Sequence, residues 1–226
     1  RLYWVDIPGR RIGRVAVQGV QAQGPVDYWP LTQEPGCIAP VQGGGLVMAL
    51  RDGIYLAREW GGPLEQLAAA PYDTSRLRFN DGKCDAQGRF WAGSMYEPRD
   101  QALGVLYALT GKAMHDKAHG ATTANGLAWS PDGRTAYFTD SGNMIVKCAL
   151  DPETGMPIGE WEDFFTMEGP GGAEPMTLAA KRVVNSAGLY AMRVARTMAG
   201  YDGALLPPVT ALDPRRNGLY GPCGRC

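Results

Sequence analysis

Two short polar stretches carry the residue types that could do chemistry in this chain of 226 residues. The first runs from Arg78 through Asn80 and Asp81 to Gly82, and the second begins at Asn125. Amide and carboxylate oxygens suit hard divalent cations such as Ca²⁺, Mg²⁺ or Mn²⁺, and Zn²⁺ also accepts them. An arginine offers several donors to the oxygens of a small polar substrate. Asn and Asp before Gly are also common turn formers, so each residue taken singly has a purely structural interpretation.

Both polar stretches precede strand-like runs with Gly-containing turns, and this pattern repeats along the chain. The aromatic residues near the strand starts are spaced by 51, 36, 46 and 53 residues; they are Trp4, Tyr55, Trp91, Tyr137 and Tyr190. A period of about 46 residues with short strands and Asp-Gly turns is typical of a β-propeller with one four-stranded blade per repeat. A β-sandwich with coincidental turns is the alternative.

The repeat predicts an all-β fold, a six-bladed β-propeller that forms a single domain over residues 1–226. Six blades at this period need roughly 275 residues. We therefore expect the propeller to be truncated at both ends. The 31 glycines and 17 prolines also disfavour long helices.

Composition excludes several classes of function. The net charge of −1 disfavours nucleic acid or anionic lipid as a partner, and no apolar run approaches the ~18 residues of a membrane span. Five scattered cysteines predict reduced thiols and a cytoplasmic location, and the lone Cys223–Cys226 pair lacks a second pair for zinc. The two histidines, His115 and His119, have no third metal ligand nearby in the sequence, so we expect them to have an ordinary surface role.

Three segments together resemble the SMP-30/gluconolactonase/LRE family, which includes regucalcin and the sugar lactonases. They are residues 2–10, 78–95 and 125–141, and the resemblance covers roughly residues 1–170. It implies a six-bladed propeller with one divalent metal (Ca²⁺, Zn²⁺, Mn²⁺ or Mg²⁺) in the central channel and hydrolysis of aldono-lactones. By the family pattern, Asn125 would ligate the metal, and Arg78 and Asn80 would contact the substrate.

The resemblance leaves the roles of three acidic positions open. Asp81 would lie beside the substrate residues, either bonding loop backbone or supporting the site. Asp140, at a strand end, is expected to be a hydrogen-bonding carboxylate rather than a ligand. An acidic substrate-side residue of the family falls near Glu97 or Pro98, where the correspondence is too loose to assign it.

The chain departs from the family pattern at the metal site. The family's Glu ligand would lie before Arg1, and its Asp ligand, also the presumed general base, falls at Met176. A thioether does not replace a carboxylate on a hard cation, and Glu174 is a weak substitute because Pro175 fixes the local backbone. The catalytic residue is therefore unassigned.

The composition also changes from residue 176. Residues 176–226 hold seven Lys and Arg against two Asp and Glu, a net of +5, whereas residues 1–175 carry −6. A reading-frame slip or genuine divergence would each account for this change. The sequence predicts metal-dependent hydrolysis of a sugar lactone. The alternative is a non-catalytic propeller that binds a partner, a small molecule or Ca²⁺.

Overall fold

A computed structural model describes residues 1–18, 21–140 and 144–166, and all of its regular elements are β-strands. No helix long and apolar enough to cross a membrane occurs among these residues. The strands are β1 (Leu2–Asp6), β2 (Arg11–Gln18), β3 (Gln21–Pro30), β4 (Pro35–Pro40), β5 (Leu46–Leu50), β6 (Gly53–Ala57), β7 (Leu64–Ala69), β8 (Leu77–Cys84), β9 (Phe90–Tyr96), β10 (Gly104–Thr110), β11 (Ala113–Ala121), β12 (Ala124–Trp129), β13 (Thr135–Asp140), β14 (Met144–Ala149) and β15 (Glu162–Thr166).

The strands form four sheets in which neighbours in sequence are neighbours in space. One sheet has three strands in the order β1-β2-β3, and the others have four, running β4 to β7, β8 to β11 and β12 to β15. The pairings within the four-stranded sheets are antiparallel. This confirms the all-β prediction and the four-stranded repeat.

The strand starts repeat more evenly than the aromatic residues do. The second strands β5, β9 and β13 begin at residues 46, 90 and 135. Trp91 and Tyr137 lie on second strands, whereas Tyr55 lies on β6, a third strand. The uneven aromatic spacing therefore reflects a change of strand at Tyr55 rather than a change of blade length. Tyr190 lies outside the described residues.

The first strands of successive sheets lie against one another. Strand β4 contacts β8, and β8 contacts β12. Each of these three strands contains a β-bulge or irregularity, located between Pro35 and Cys37, Phe79 and Gly82, and Asn125 and Leu127. A bulge redirects the side chains of the extra residues out of the regular alternation. Both polar stretches found in the sequence coincide with such bulges.

Three apolar clusters fill the spaces between the faces of adjacent sheets. Ile12 and Met48 pack between the first two sheets, and Ile54 packs near Phe79 between the next two. Trp91 anchors the cluster between the third and fourth sheets. Apart from Gln18 and Gln21, the residues of these strands belong to one compact unit. The single domain over residues 1–226 stays a prediction, because the second unit, residues 18–21 and 174–226, is largely outside the described ranges.

The buried thiols and phenols predict a loss of stability at alkaline pH. Burial raises the pKa of Cys37 and of Cys148 above the ordinary value of 9.0, and raises the pKa of Tyr107 to about 12. The unfolded chain therefore releases these protons before the folded chain does. Their stabilising contribution is complete below pH 9 and is lost as the pH rises through the folded-state values. Lys117 opposes this trend, because burial lowers its pKa.

We expect the free energy of unfolding, measured by urea denaturation, to be level between pH 7 and pH 8.5 and to decline above pH 9. Tyr107→Phe should flatten the decline above pH 10, since it removes one of the responsible hydroxyls. Tyr28→Phe, at an exposed position, is the matched control and should leave the profile unchanged. Constant stability up to pH 10.5 would contradict this interpretation.

Candidate functional site

The two predicted polar stretches meet through their bulges. In the pairing of β8 with β9, Asn80 and Asp81 lie in the irregularity between the paired residues Phe79 and Gly82. The Asn80 Nδ2 donates to Asn125 Oδ1 at 2.7 Å and to the carbonyl oxygen of Ala124 at 3.0 Å. Two residues that lie 45 positions apart in sequence are thus in direct contact across neighbouring sheets.

The Asp81 carboxylate accepts hydrogen bonds from the backbone of the same two strands. Its Oδ1 accepts from the N–H of Gly82 on β8, and its Oδ2 accepts from the N–H of Gly126 on β12, both at 2.8 Å. Gly126 has a positive φ of 53°, a conformation that favours glycine. Of the two roles left open by the sequence, the structure shows the backbone-bonding one, and this bonding holds Asn80 and Asn125 in register.

Strand β4, the first strand of the preceding sheet, comes close to the site at its own bulge. A Cβ atom placed on Gly36 would lie 2.6 Å from the carbonyl carbon and oxygen of Phe79 and 2.9 Å from the backbone nitrogen of Asn80. Only glycine permits this separation. Sequence reasoning missed Gly36, because its requirement arises from a strand more than 40 residues away.

Arg78 lies beside Asn80. Its Nη1 donates to Asn80 Oδ1 at 3.2 Å and to the carbonyl oxygen of Phe79 at 2.9 Å. The Arg78 side chain is only 13% exposed, and burial lowers the pKa of its guanidinium. Arg78, Asn80 and Asn125 therefore form one contiguous polar group on two first strands.

Glu97 is held next to Arg78 by a residue that sequence reasoning missed. Arg51 donates from Nη1 and Nη2 to the two oxygens of Glu97, both at 3.0 Å, and from Nε to Glu34 at 2.9 Å. Glu97 Oε1 lies 3.6 Å from Arg78 Nε. Burial opposes ionisation of Glu34, but the Arg51 contact prevails and keeps the pKa of Glu34 below its ordinary value. No local motif marks Arg51, which stands at the turn between β5 and β6.

Two other predictions are confirmed. Asp140 accepts hydrogen bonds from the N–H groups of Thr122 and Thr123, at 2.9 and 2.8 Å, so it is a structural hydrogen-bonding carboxylate. His119 lies 3.5 Å from Asp116 with its side chain exposed, which is a surface role.

The described residues do not by themselves fit a tightly held divalent cation. Within the described ranges, no group of three His, Cys, Asp or Glu side chains is placed to hold a metal ion. The predicted ligand atom, Asn125 Oδ1, accepts from Asn80, and both oxygens of Asp81 accept from backbone. A calcium site takes about six to eight oxygens, and its affinity depends on the number of charged ligands. Met176 and Glu174 lie outside the described residues.

Solved structures with a similar fold are β-propellers of one class. The calcium-binding protein regucalcin of Agrobacterium tumefaciens matches with a TM-score of 0.63 and 25% identity, over 72% of this chain and 54% of that one. A luciferin-regenerating enzyme matches with a TM-score of 0.64 and 24% identity, over 73% of this chain and 56% of that one. The fold is therefore of the β-propeller class, as predicted, while the closure of a six-bladed ring stays a prediction.

Sequence comparison gives the family. The profile described as "SMP-30/Gluconolactonase/LRE-like region" matches residues 1–199, so the chain belongs to this family. A 6-deoxy-6-sulfogluconolactonase of Pseudomonas putida is 39% identical over 158 residues, which is 69% of this chain and 53% of that protein. Regucalcin of Danio rerio is 33% identical over 162 residues, 68% of this chain and 52% of that protein. The chain spans about half the length of these curated relatives.

Proposed function

We propose that the protein to which this chain belongs hydrolyses a sugar lactone, as a gluconolactonase does. The observation that carries the proposal is the contact between Asn80 and Asn125, with Arg78 bonded to the same Asn80. By the family pattern, these residues are expected at the substrate and metal positions, and they lie in contact on two neighbouring sheets. The sulfogluconolactonase relative supports a lactone as the substrate class.

Arg78 and Asn80 orient the substrate in this proposal. A neutral lactone offers a carbonyl, a ring oxygen and hydroxyls, all of which accept hydrogen bonds. The Arg78 guanidinium is largely buried and already fixed to Asn80, so it is preorganised and loses little freedom on binding. Preorganised donors of this kind also stabilise negative charge that develops on a reacting carbonyl oxygen.

In this proposal Asn125 is the only described residue that would ligate a divalent metal, which would be Ca²⁺, Zn²⁺, Mn²⁺ or Mg²⁺. A metal bound there would be a Lewis acid for the carbonyl. Its remaining ligands are not among the described residues, and the base that activates water is unassigned because its family position is Met176. The small-molecule partner and the cytoplasmic location likewise stay predictions.

A second candidate function is binding without turnover. It is favoured by the donor set, since the described residues contribute one neutral amide oxygen from the family's ligands and the sequence has Met176 where a carboxylate is expected. Such a propeller would bind a lactone or Ca²⁺ at the same group of residues and release the lactone unchanged.

Calorimetry followed by a rate assay distinguishes the two functions. Each of the four ions and then glucono-δ-lactone is titrated into the purified chain, and hydrolysis of the lactone is followed with each ion by proton release. Turnover above the spontaneous rate in the presence of an ion supports the hydrolase. Lactone binding with no rate above the spontaneous one supports the binding module, and neither binding nor turnover contradicts both.

A further inference from the structure

The loop between β14 and β15 places a thioether against a buried ammonium group from the neighbouring sheet. Lys117 lies on β11 and is only 6% exposed. Its Nζ donates to the sulfur of Met156 at 2.8 Å and lies 5.6 Å from the centroid of the Trp91 ring. Within the residues that the structure describes, Lys117 Nζ forms no other hydrogen bond and no ion pair. A buried cation is thus held by a weak acceptor and an indole ring.

This ammonium group lacks the strong oxygen acceptor that a buried charge requires. An ammonium has three N–H donors, and leaving them without good acceptors in a protein interior costs free energy. Burial, and then the charge of Arg89, lowers the pKa of Lys117, whereas Asp85 raises it. Asp85 accepts from Arg89 Nε and is committed to that pair. The sulfur of Met156 is the acceptor that remains for Lys117 among the described residues.

The Met156 side chain is open to solvent while its backbone is fixed. The residue is 45% exposed. Its N–H donates to Thr154 Oγ1 at 3.2 Å, and its carbonyl oxygen accepts from the N–H of Asp151 at 2.9 Å. Arg89 Nη1 donates to the carbonyl oxygen of Glu153 at 2.7 Å, which ties the same loop to the third sheet. The thioether is therefore within reach of a small solute and is kept beside the ammonium group.

We propose that Met156 is a site of reversible oxidation by a peroxide, and that Lys117 donates a hydrogen bond to the oxygen of the resulting sulfoxide. In the oxidation step the sulfur lone pair attacks one oxygen of hydrogen peroxide, so that an S–O bond forms and the O–O bond breaks. The proton of the attacked oxygen passes to the departing oxygen, which leaves as water. The sulfur loses two electrons and the peroxide gains them. Lys117 remains protonated throughout.

Oxidation at this position is expected to stabilise the fold, whereas oxidation of a methionine in an apolar core disrupts it. A sulfoxide oxygen is a strong acceptor, and hydrogen bonds from a charged donor are among the stronger ones. Met48 and Met95 give the contrast, since they are 0% and 1% exposed. The oxidation site shares no residue with the group formed by Arg78, Asn80 and Asn125, so it and the proposed function are tested independently.

Limited treatment with hydrogen peroxide, followed by peptide mapping with mass spectrometry, tests the site. We expect Met156 in the folded chain to be oxidised about tenfold or more faster than Met48 and Met95, because those two react only when the fold opens. A methionine sulfoxide reductase should reverse the change. Urea denaturation before and after oxidation then measures the effect on stability. Met156→Leu, treated alongside, reports the effect of oxidising all other methionines.

Relative to Met156→Leu, oxidation should raise the folding equilibrium constant of the wild type by about tenfold. Lys117→Leu removes the ammonium group, so this gain should be absent in it. Lys112→Leu is the matched control and should keep the gain, since Lys112 and Arg58 are exposed cations whose only ion pair among the described residues is with Glu65.

Met156→Gln gives a second test that needs neither an oxidant nor a change at Lys117. The glutamine amide oxygen is a strong acceptor on a side chain of similar length, so this variant should be more stable than Met156→Leu. A Met156→Gln variant no more stable than Met156→Leu would overturn the proposal. So would a loss of stability when Met156 is oxidised, an equal gain in Lys117→Leu, or oxidation of Met156 no faster than that of Met48.

Discussion

Replacing Asp85 by alanine is expected to lower the free energy of unfolding by about 3–5 kcal/mol. The Asp85 side chain is 1% exposed, and its Oδ1 accepts from the N–H groups of Gln87 and Arg89 at 3.0 and 2.9 Å. Its Oδ2 accepts from the indole Nε1 of Trp91 at 2.9 Å and from the Arg89 guanidinium. Trp91 is fully buried in the cluster between the third and fourth sheets. The substitution leaves a buried indole N–H and the Arg89 Nε without their acceptor.

Urea denaturation of the wild type and three variants measures this effect. Asp85→Asn keeps the side-chain volume and one acceptor oxygen, so it should lose less free energy of unfolding than Asp85→Ala. Asp151→Ala is the matched control, because Asp151 accepts from the backbone of Glu153 and Thr154 in an exposed loop. The control should lose far less than Asp85→Ala, because water replaces the hydrogen bonds of an exposed carboxylate. A loss for Asp85→Ala no larger than that of the control would show that the buried cluster is not a main source of stability.

The second large effect concerns the hydrogen bond between Asn80 on β8 and Asn125 on β12. We expect Asn80→Ala and Asn125→Ala each to lower kcat/KM for glucono-δ-lactone by about 10²-fold, since each leaves its partner misplaced. The 2.7 Å hydrogen bond between the two amides makes them act as one unit. The double variant should therefore lose far less than the product of the two single losses.

Steady-state kinetics on the two single variants and the double variant, with thermal unfolding as a check on the fold, tests this coupling. Gln66→Ala supplies the control, because Gln66 is an exposed amide on β7 with one long contact to the Asp52 carbonyl. Losses that multiply independently would mean that the two asparagines serve separate purposes. Wild-type activity in Asn125→Ala would remove Asn125 from the site.

The repeat in the sequence predicts the sheets better than it predicts which strand a residue occupies. The Asp-Gly turns and short apolar runs reflect local chemistry, and the four-stranded meanders follow from them. Tyr55 shows the limit, because an aromatic after an Asp-Gly turn fits a third strand as well as a second. Which strand of a blade a residue occupies depends on which face of the sheet is buried, and the neighbouring sheet decides that.

The candidate site likewise contains residues that the sequence predicts and residues that it does not. Arg78, Asn80 and Asn125 were found through motifs that are contiguous in sequence. Arg51 and Gly36 were not found, since one is defined by a carboxylate 46 residues away and the other by backbone from the next sheet. Interactions between blades leave no mark in the surrounding sequence, and only the packed structure shows them.

The most direct test of the account compares Arg78→Met with Arg58→Met in the hydrolysis of glucono-δ-lactone. Methionine keeps the apolar stem of Arg78 and removes its donors. The account predicts a rate about 10²-fold or more below the wild type for Arg78→Met, with unchanged activity for Arg58→Met. Wild-type activity in a folded Arg78→Met variant would contradict it. So would a wild-type rate no faster than spontaneous hydrolysis with all four ions.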